Sequence, residues 1–161
     1  MKFCVVQAQA QSFLVVRSVG RFHGPHMKSL MSAIANLDAY RDAQILHDMR
    51  LVDFNVPLEE IVEVARNHPD QPRNGRLAVV AATGLGFGML RVIASIRENT
   101  GRKVHAFQDI ADALEWLSVP GFEAGLPDTV EAVLTEHVGL SEQDPSLFGI
   151  TIKCVNQGAR A

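Results

Sequence analysis

Along the chain, short apolar runs alternate with stretches of helical period. Leu77 to Ala82 is a continuous apolar run of strand length, as expected of a parallel strand covered on both faces. Gly84, Gly86 and Gly88 interrupt it and read as a glycine turn. From Phe87 the period changes: Arg91, Ser95 and Glu98 fall at i, i+4 and i+7 as one polar stripe, with Met89, Leu90, Ile93, Ala94 and Ile96 opposite. The stretch predicts a strand, a turn and a helix, half of a βαβ unit. Leu77 to Ile96 also has the length of a membrane span, with Arg91 as its single charge. Three glycines within five residues and an arginine well inside argue against that reading.

The rest of the chain extends the alternation. Lys2 to Ala8 and Ser12 to Val19 are strand-like runs separated by Gln9-Ala10-Gln11, which predicts a β hairpin. After Gly20 and Gly24-Pro25, Met27, Leu30, Met31, Ile34 and Ala35 recur with helical spacing. Ala43 to Met49 reads as an interior strand that runs out toward Asp53 and Phe54. Pro57 then opens a helix at its first position, with Glu59 and Glu60 suited to the positive end of the helix dipole. Asn99-Thr100-Gly101 ends the helix after the glycines. Lys103 to Gln108 is a further strand, and Asp109 caps a helix carrying Ile110, Ala113, Leu114 and Leu117. The order, hairpin then α, β, α, β, α, β, α, predicts an α/β fold with a mixed, mostly parallel sheet and helices packed on it. Residues 1–118 form that domain. Residues 119–161 read as an extension: a linker, a helix at 128–138 and a strand at 148–155. That strand has no partner nearby in sequence, which makes the extension the first candidate for a homodimer contact.

Composition narrows the function classes. The 161 residues suffice for one core, and 47% hydrophobic with 20% charged residues is ordinary for a globular protein. A net charge of -3 without a basic cluster argues against a nucleic-acid partner. Charge is uneven, with 13 basic and 12 acidic residues in 1–118 but 2 and 6 in 119–161. Cys4 and Cys154 have no CxxC spacing or histidine companion, so buried reduced thiols are expected rather than a zinc site. Phe3 to Val6 is too short for a signal-peptide core, which makes a cytoplasmic location the expectation.

Two phrases carry a family resemblance: ILHDMRLVDF at Ile45 to Phe54, and FGMLR at Phe87 to Arg91 followed by VHAFQDIADALEWL at Val104 to Leu117. Together they resemble the STAS/Sec14-type family of small bacterial proteins similar to anti-sigma-factor antagonists (SpoIIAA-like), over residues 3–118. The resemblance implies a hairpin start, a sheet of four or five strands with helices against it, and binding rather than catalysis. It places Asp48 at the strand-end aspartate and Phe54 at the following aromatic. Antagonists of this type carry a phosphorylated serine at the start of the next helix. Here Pro57 stands at about that place, and no Ser or Thr occurs between Gln44 and Asn74.

Candidate chemistry is sparse. Gly84-Leu85-Gly86-Phe87-Gly88 is a GxGxG between strand and helix, a context in which backbone N–H groups can cradle a phosphate. Met89 stands where a dinucleotide fingerprint has its third glycine, and a structural turn is the simpler reading. Asp48, Arg50 and Asp53 end one strand, and Thr83 and Arg91 follow another; ligands and partners of open α/β sheets meet the carboxyl ends of strands. A salt bridge from Arg50 or Arg91 to an aspartate is the plainer alternative. His23 and His26 lack a third ligand, while His47 and His105 read as hydrogen-bonded core histidines on interior strands. No Ser/His/Asp or Cys/His arrangement has a recognisable local context, and no cofactor or metal is expected. The sequence thus predicts a noncatalytic binding or regulatory module working through protein contacts. The surface residues are Asp48, Arg50, Asp53, Phe54, Thr83, Gly84, Phe87, Gly88 and Arg91. The alternatives are a carrier of a lipid or small apolar ligand, as in Sec14-type proteins, and nucleotide binding at Gly84 to Gly88.

Overall fold

The computed structural model describes residues 1–8, 13–35, 41–67, 74–101, 103–118 and 150–155. The expected helix at 128–138 and the linker before it lie outside these. The elements are β1 (Lys2–Ala8), β2 (Phe13–Arg21), α1 (Gly24–Ala35), β3 (Gln44–Asp53), α2 (Leu58–Arg66), β4 (Leu77–Val80), α3 (Gly84–Glu98), β5 (Val104–Phe107), α4 (Ile110–Leu117) and β6 (Ile150–Val155). The sheet order is β5-β4-β3-β2-β1-β6. Strands β2 to β5 are mutually parallel, and β1 forms the antiparallel hairpin with β2. The domain supplies five strands, as expected, and β6, within the strand expected at 148–155, joins the sheet by pairing in parallel with β1 of its own chain, Phe3 opposite Ile150. Cys4 and Cys154 lie on these two strands, three register positions apart.

Each sheet face has its own core. Leu14, Val16, Ile45, Met49 and Val79 pack with Met27, Leu30, Ile61, Leu90 and Ala94 of α1, α2 and α3. Phe13, Val15, Leu46, Ala78 and Val80 pack with Ala113, Leu114 and Leu117 of α4. Alternate residues of β2 and β3 feed the two cores, so both strands read as near-continuous apolar runs. Arg76 fastens α4 to the start of β4. Its guanidinium donates to the carbonyls of Trp116 and Leu117, at 3.2 Å for Leu117, and lies 5.4 Å from the Trp116 ring centroid. A cation there also suits the negative end of the helix dipole.

Three local readings change. The glycine stretch is not a turn ahead of the helix, because Gly84, Gly86 and Gly88 all lie inside α3. Thr83 is the N-cap, its Oγ1 accepting from Gly86 N at 3.0 Å, so the helix begins as soon as that cap forms. Pro57 is the cap residue of α2 rather than its first helical residue. His105 is exposed: it stands on the edge strand β5, on the α4 face beside Phe107 and Trp116 but outside the core there. Asp109 caps α4 as the sequence indicates, accepting from Ala111 N at 2.6 Å.

Candidate functional site at the carboxyl ends of the strands

Of the nine candidate positions, Asp48 and Arg50 are joined most tightly. Asp48 is 2% exposed and pairs in register with Arg17 of β2 on one side and Val80 of β4 on the other. Its carboxylate accepts from Arg50 Nε and Nη2, both at 3.0 Å, and from Arg50 N at 3.1 Å. Arg17 Nε lies 3.1 Å from Oδ2 on the other side. Arg17 is 4% exposed and was missed in the sequence. The available signal was its position directly after the apolar run Phe13 to Val16, opposite the carboxylate within β3's apolar run. One buried carboxylate thus holds two guanidiniums, the arrangement that offsets charge burial.

The cluster sits at an irregularity. Arg17 is opposite Asp48 but Val19 is opposite Leu51, so two residues of β3, Met49 and Arg50, oppose Ser18 alone. This bulge shifts the alternation of β3: Ile45 and Met49 reach the core under α1 to α3, and beyond it Val52 and Phe54 reach the same core. Beside it, Ser18 Oγ and His47 Nε2 are hydrogen-bonded at 2.7 Å in a buried setting. Burial lowers His47 to a pKa of about 4, against a smaller opposing pull from Asp48, so the ring is neutral at pH 7. The pair satisfies two buried polar side chains, as read for His47 from sequence.

The other positions form the rim. Phe54 is buried, stacks on Phe22 with centroids 5.8 Å apart, and lies against the first turn of α3. A Cβ on Gly86 would meet Phe54 Cδ2 at 2.9 Å, so this glycine is required by close approach. Gly84 and Gly88 have nothing within 4 Å of such a Cβ and are exposed. Asp53 is exposed, its Oδ1 accepting from Asn55 N at 2.9 Å. Arg91 lies on the exposed stripe of α3, 5.9 Å from the Phe87 ring centroid, and no described ion pair joins it to an aspartate. The three large hydrophobic side chains that are exposed among the described residues are Leu51 (53%), Leu58 (45%) and Leu85 (56%). They lie at the end of β3, the start of α2 and the start of α3, all at the carboxyl end of the sheet.

At the other end of the sheet a cavity of about 70 Å³ lies beneath α1, α2 and α3. Met27, Met31, Ile34, Leu90 and Ile93 line it, with His47, Arg97 and Lys103 as its polar neighbours. Arg97 is 7% exposed and points Nη1 toward Ala65 O at 3.4 Å, at the last turn of α2. No helix among the described residues is long and apolar enough to cross a membrane. Comparison with known proteins finds no matching family model, no matching curated protein and no matching solved structure.

Proposed function

We propose that this chain is a noncatalytic binding or regulatory module that meets a protein partner through the rim at the carboxyl ends of its strands. The observation that carries the reading is that Leu51, Leu58 and Leu85, the large hydrophobics exposed among the described residues, all belong to element ends at this end of the sheet. Single exposed leucines are ordinary, whereas apolar side chains collected at one place and rimmed by polar groups mark interaction surfaces. Around them stand the exposed Arg50, Asp53, Thr83 and Arg91, and the bare backbone of Gly84 and Gly88 lets a partner approach α3 closely. The resemblance to STAS-type proteins supports the same end of the fold. The hydroxyl of a phospho-switch is lacking, since Pro57 occupies the cap of α2. Regulation by phosphate at that cap is therefore not part of the proposal. The GxGxG lies within the helix rather than in a loop ahead of it, which leaves nucleotide binding without its usual cradle.

The test is cross-linking capture from lysate of the source cell, comparing the parent protein with a Leu51→Glu, Leu58→Glu, Leu85→Glu triple variant of unchanged melting temperature. A defined protein captured by the parent and lost by the variant is expected. Equal capture by both overturns the assignment of the rim. A homodimer through residues 119–161 belongs to the same proposal, because β6 covers β1 and leaves its own outer edge for a second copy. A monomer by sedimentation at tens of micromolar would remove it. The carrier reading draws on the apolar cavity under α3, yet 70 Å³ falls far short of the several hundred that a drug-sized ligand fills. Native mass spectrometry showing an adduct of a few hundred daltons that vanishes on denaturation would reverse that preference.

A further inference from the structure

The cavity beneath α1, α2 and α3 has a polar wall of one sign. Its floor is two cross-strand rows of the sheet, Ile45, Leu77 and Val104 in one and Val16, His47 and Val79 in the next. Methionine and aliphatic side chains of the three helices roof it. The charged side chains on its described wall are Arg97, in the last turn of α3, and Lys103, just before β5, and no acid stands with them. His47, neutral at pH 7 and bonded through Nε2 to Ser18 Oγ at 2.7 Å, adds no charge. Lys103 is exposed, and Ile93, one turn before Arg97, is half-buried, so the cavity reaches solvent beside its cations. Arg97 itself is 7% exposed. A cation so deep in an apolar wall calls for good acceptors. One that it has is the neutral carbonyl of Ala65, at 3.4 Å, which is longer than the usual range of about 2.7–3.2 Å.

We propose that this cavity binds a short-chain aliphatic monocarboxylate of the size of butyrate, its carboxylate at Arg97 and its chain among the aliphatic and methionine side chains. Size sets the length of the ligand. The cavity is about 70 Å³, and a water-sized group needs about 10–15 Å³ by that measure, which leaves room for about five to seven non-hydrogen atoms. Charge sets its head group. A carboxylate that takes the place of Ala65 O exchanges a neutral acceptor for an ionised one, and charge-assisted bonds are about twice as strong. The exposed Lys103 draws the anion toward the opening. Each methylene of the chain that leaves water tightens binding by about fourfold until the cavity is full. A fatty acid of membrane-lipid length exceeds the space, so the site differs from that of a lipid carrier.

A methyl NMR titration of the full chain with sodium butyrate at constant ionic strength tests it, with n-butanol as the neutral and octanoate as the long comparison ligand. Saturable binding at millimolar concentration or tighter is expected to move the methyl signals of Met27, Met31 and Ile93. The neutral n-butanol should bind at least about tenfold more weakly, as loss of a bond to a charged group requires, and octanoate should bind more weakly than butyrate. Arg97→Gln should weaken butyrate by about tenfold or more and leave n-butanol unchanged. Because Arg97 also holds Ala65 O, Ile93→Phe gives a second reading: it fills the cavity from a half-buried position and should abolish the butyrate shifts in a protein that still melts cooperatively. No shift at tens of millimolar butyrate, or undiminished binding in Ile93→Phe, overturns the site. Equal affinity for butyrate and n-butanol overturns the role of Arg97, and tighter binding of octanoate overturns the size limit in favour of a lipid. None of these outcomes depends on the leucine rim.

Discussion

Replacing Asp48 by alanine removes the one carboxylate that faces two arginines, and the structure says how unequal the two losses are. Arg17 is 4% exposed and 3.1 Å from Asp48 Oδ2, whereas the Arg50 side chain is 37% exposed at 3.0 Å from Oδ1. At an effective dielectric near 20, a unit-charge pair at this range is worth on the order of 4 kcal/mol before desolvation. For Arg50, solvent screening reduces the net value to about 0.2–1 kcal/mol. For Arg17 the loss takes a close counter-charge from a buried cation, and breaking such a pair costs about 3–5 kcal/mol. Asp48→Ala is therefore expected to destabilise the fold by about 3–5 kcal/mol, and Arg50→Ala by less than about 1 kcal/mol. The second substitution spares the Arg50 N to Asp48 Oδ1 bond, because the donor is backbone. Urea unfolding at pH 7, with the slope m checked for constancy, reads both values. Equal losses in the two variants, or a loss under about 1 kcal/mol for Asp48→Ala, would refute the view that the buried Arg17 contact dominates.

Three further outcomes are expected from the same structure. Gly86→Ala puts a Cβ 2.9 Å from Phe54 Cδ2 and 3.1 Å from Ala81 Cβ, and should destabilise by about 1–3 kcal/mol in denaturant melts. Gly88→Ala meets nothing within 4 Å inside α3 and should stabilise by about 0.5–1 kcal/mol; the reverse order would contradict the described helix start. His47 has a folded pKa of about 4, below the unfolded value near 6.5. The unfolded chain then binds the extra proton first as pH falls. The contribution of this residue is fully present above about pH 6.5, declines below it and is gone below about pH 4, on the order of 3 kcal/mol in all. Urea midpoints at pH 7 and pH 5 should differ more for the parent than for His47→Gln, and an equal difference would show that His47 is not buried neutral.

The strand and helix order was legible because buried parallel strands leave continuous apolar runs such as Leu77 to Val80, and a capped helix leaves Asp109 at its start. What was not legible involves contacts between distant segments. The glycines of α3 read as a turn because glycine is a poor helix former; that Gly86 must pass Phe54 shows only when the two are brought together. Arg17 looked like any polar residue in a strand, and its meaning comes from a register that sets it beside Asp48, 31 positions away.

The bulge in β3 ties these features into one argument about the rim. Without the extra residue, Val52 and Phe54 would turn away from the core of α1 to α3, since a one-residue slip exchanges the faces of every later side chain. Phe54 would then leave the first turn of α3, and the contact that makes Gly86 obligatory would be absent. With the bulge in place, Asp48 accepts both the backbone N–H and the guanidinium of Arg50, its neighbour across the irregularity. The buried carboxylate therefore fixes the register that aims Phe54 inward and leaves Leu51 outside. On this reasoning Asp48 and Arg17 hold the rim in shape, while Leu51, Leu58 and Leu85 are the surface proposed for a partner. Rim variants should lose binding with stability intact, whereas Asp48→Ala should lose both together.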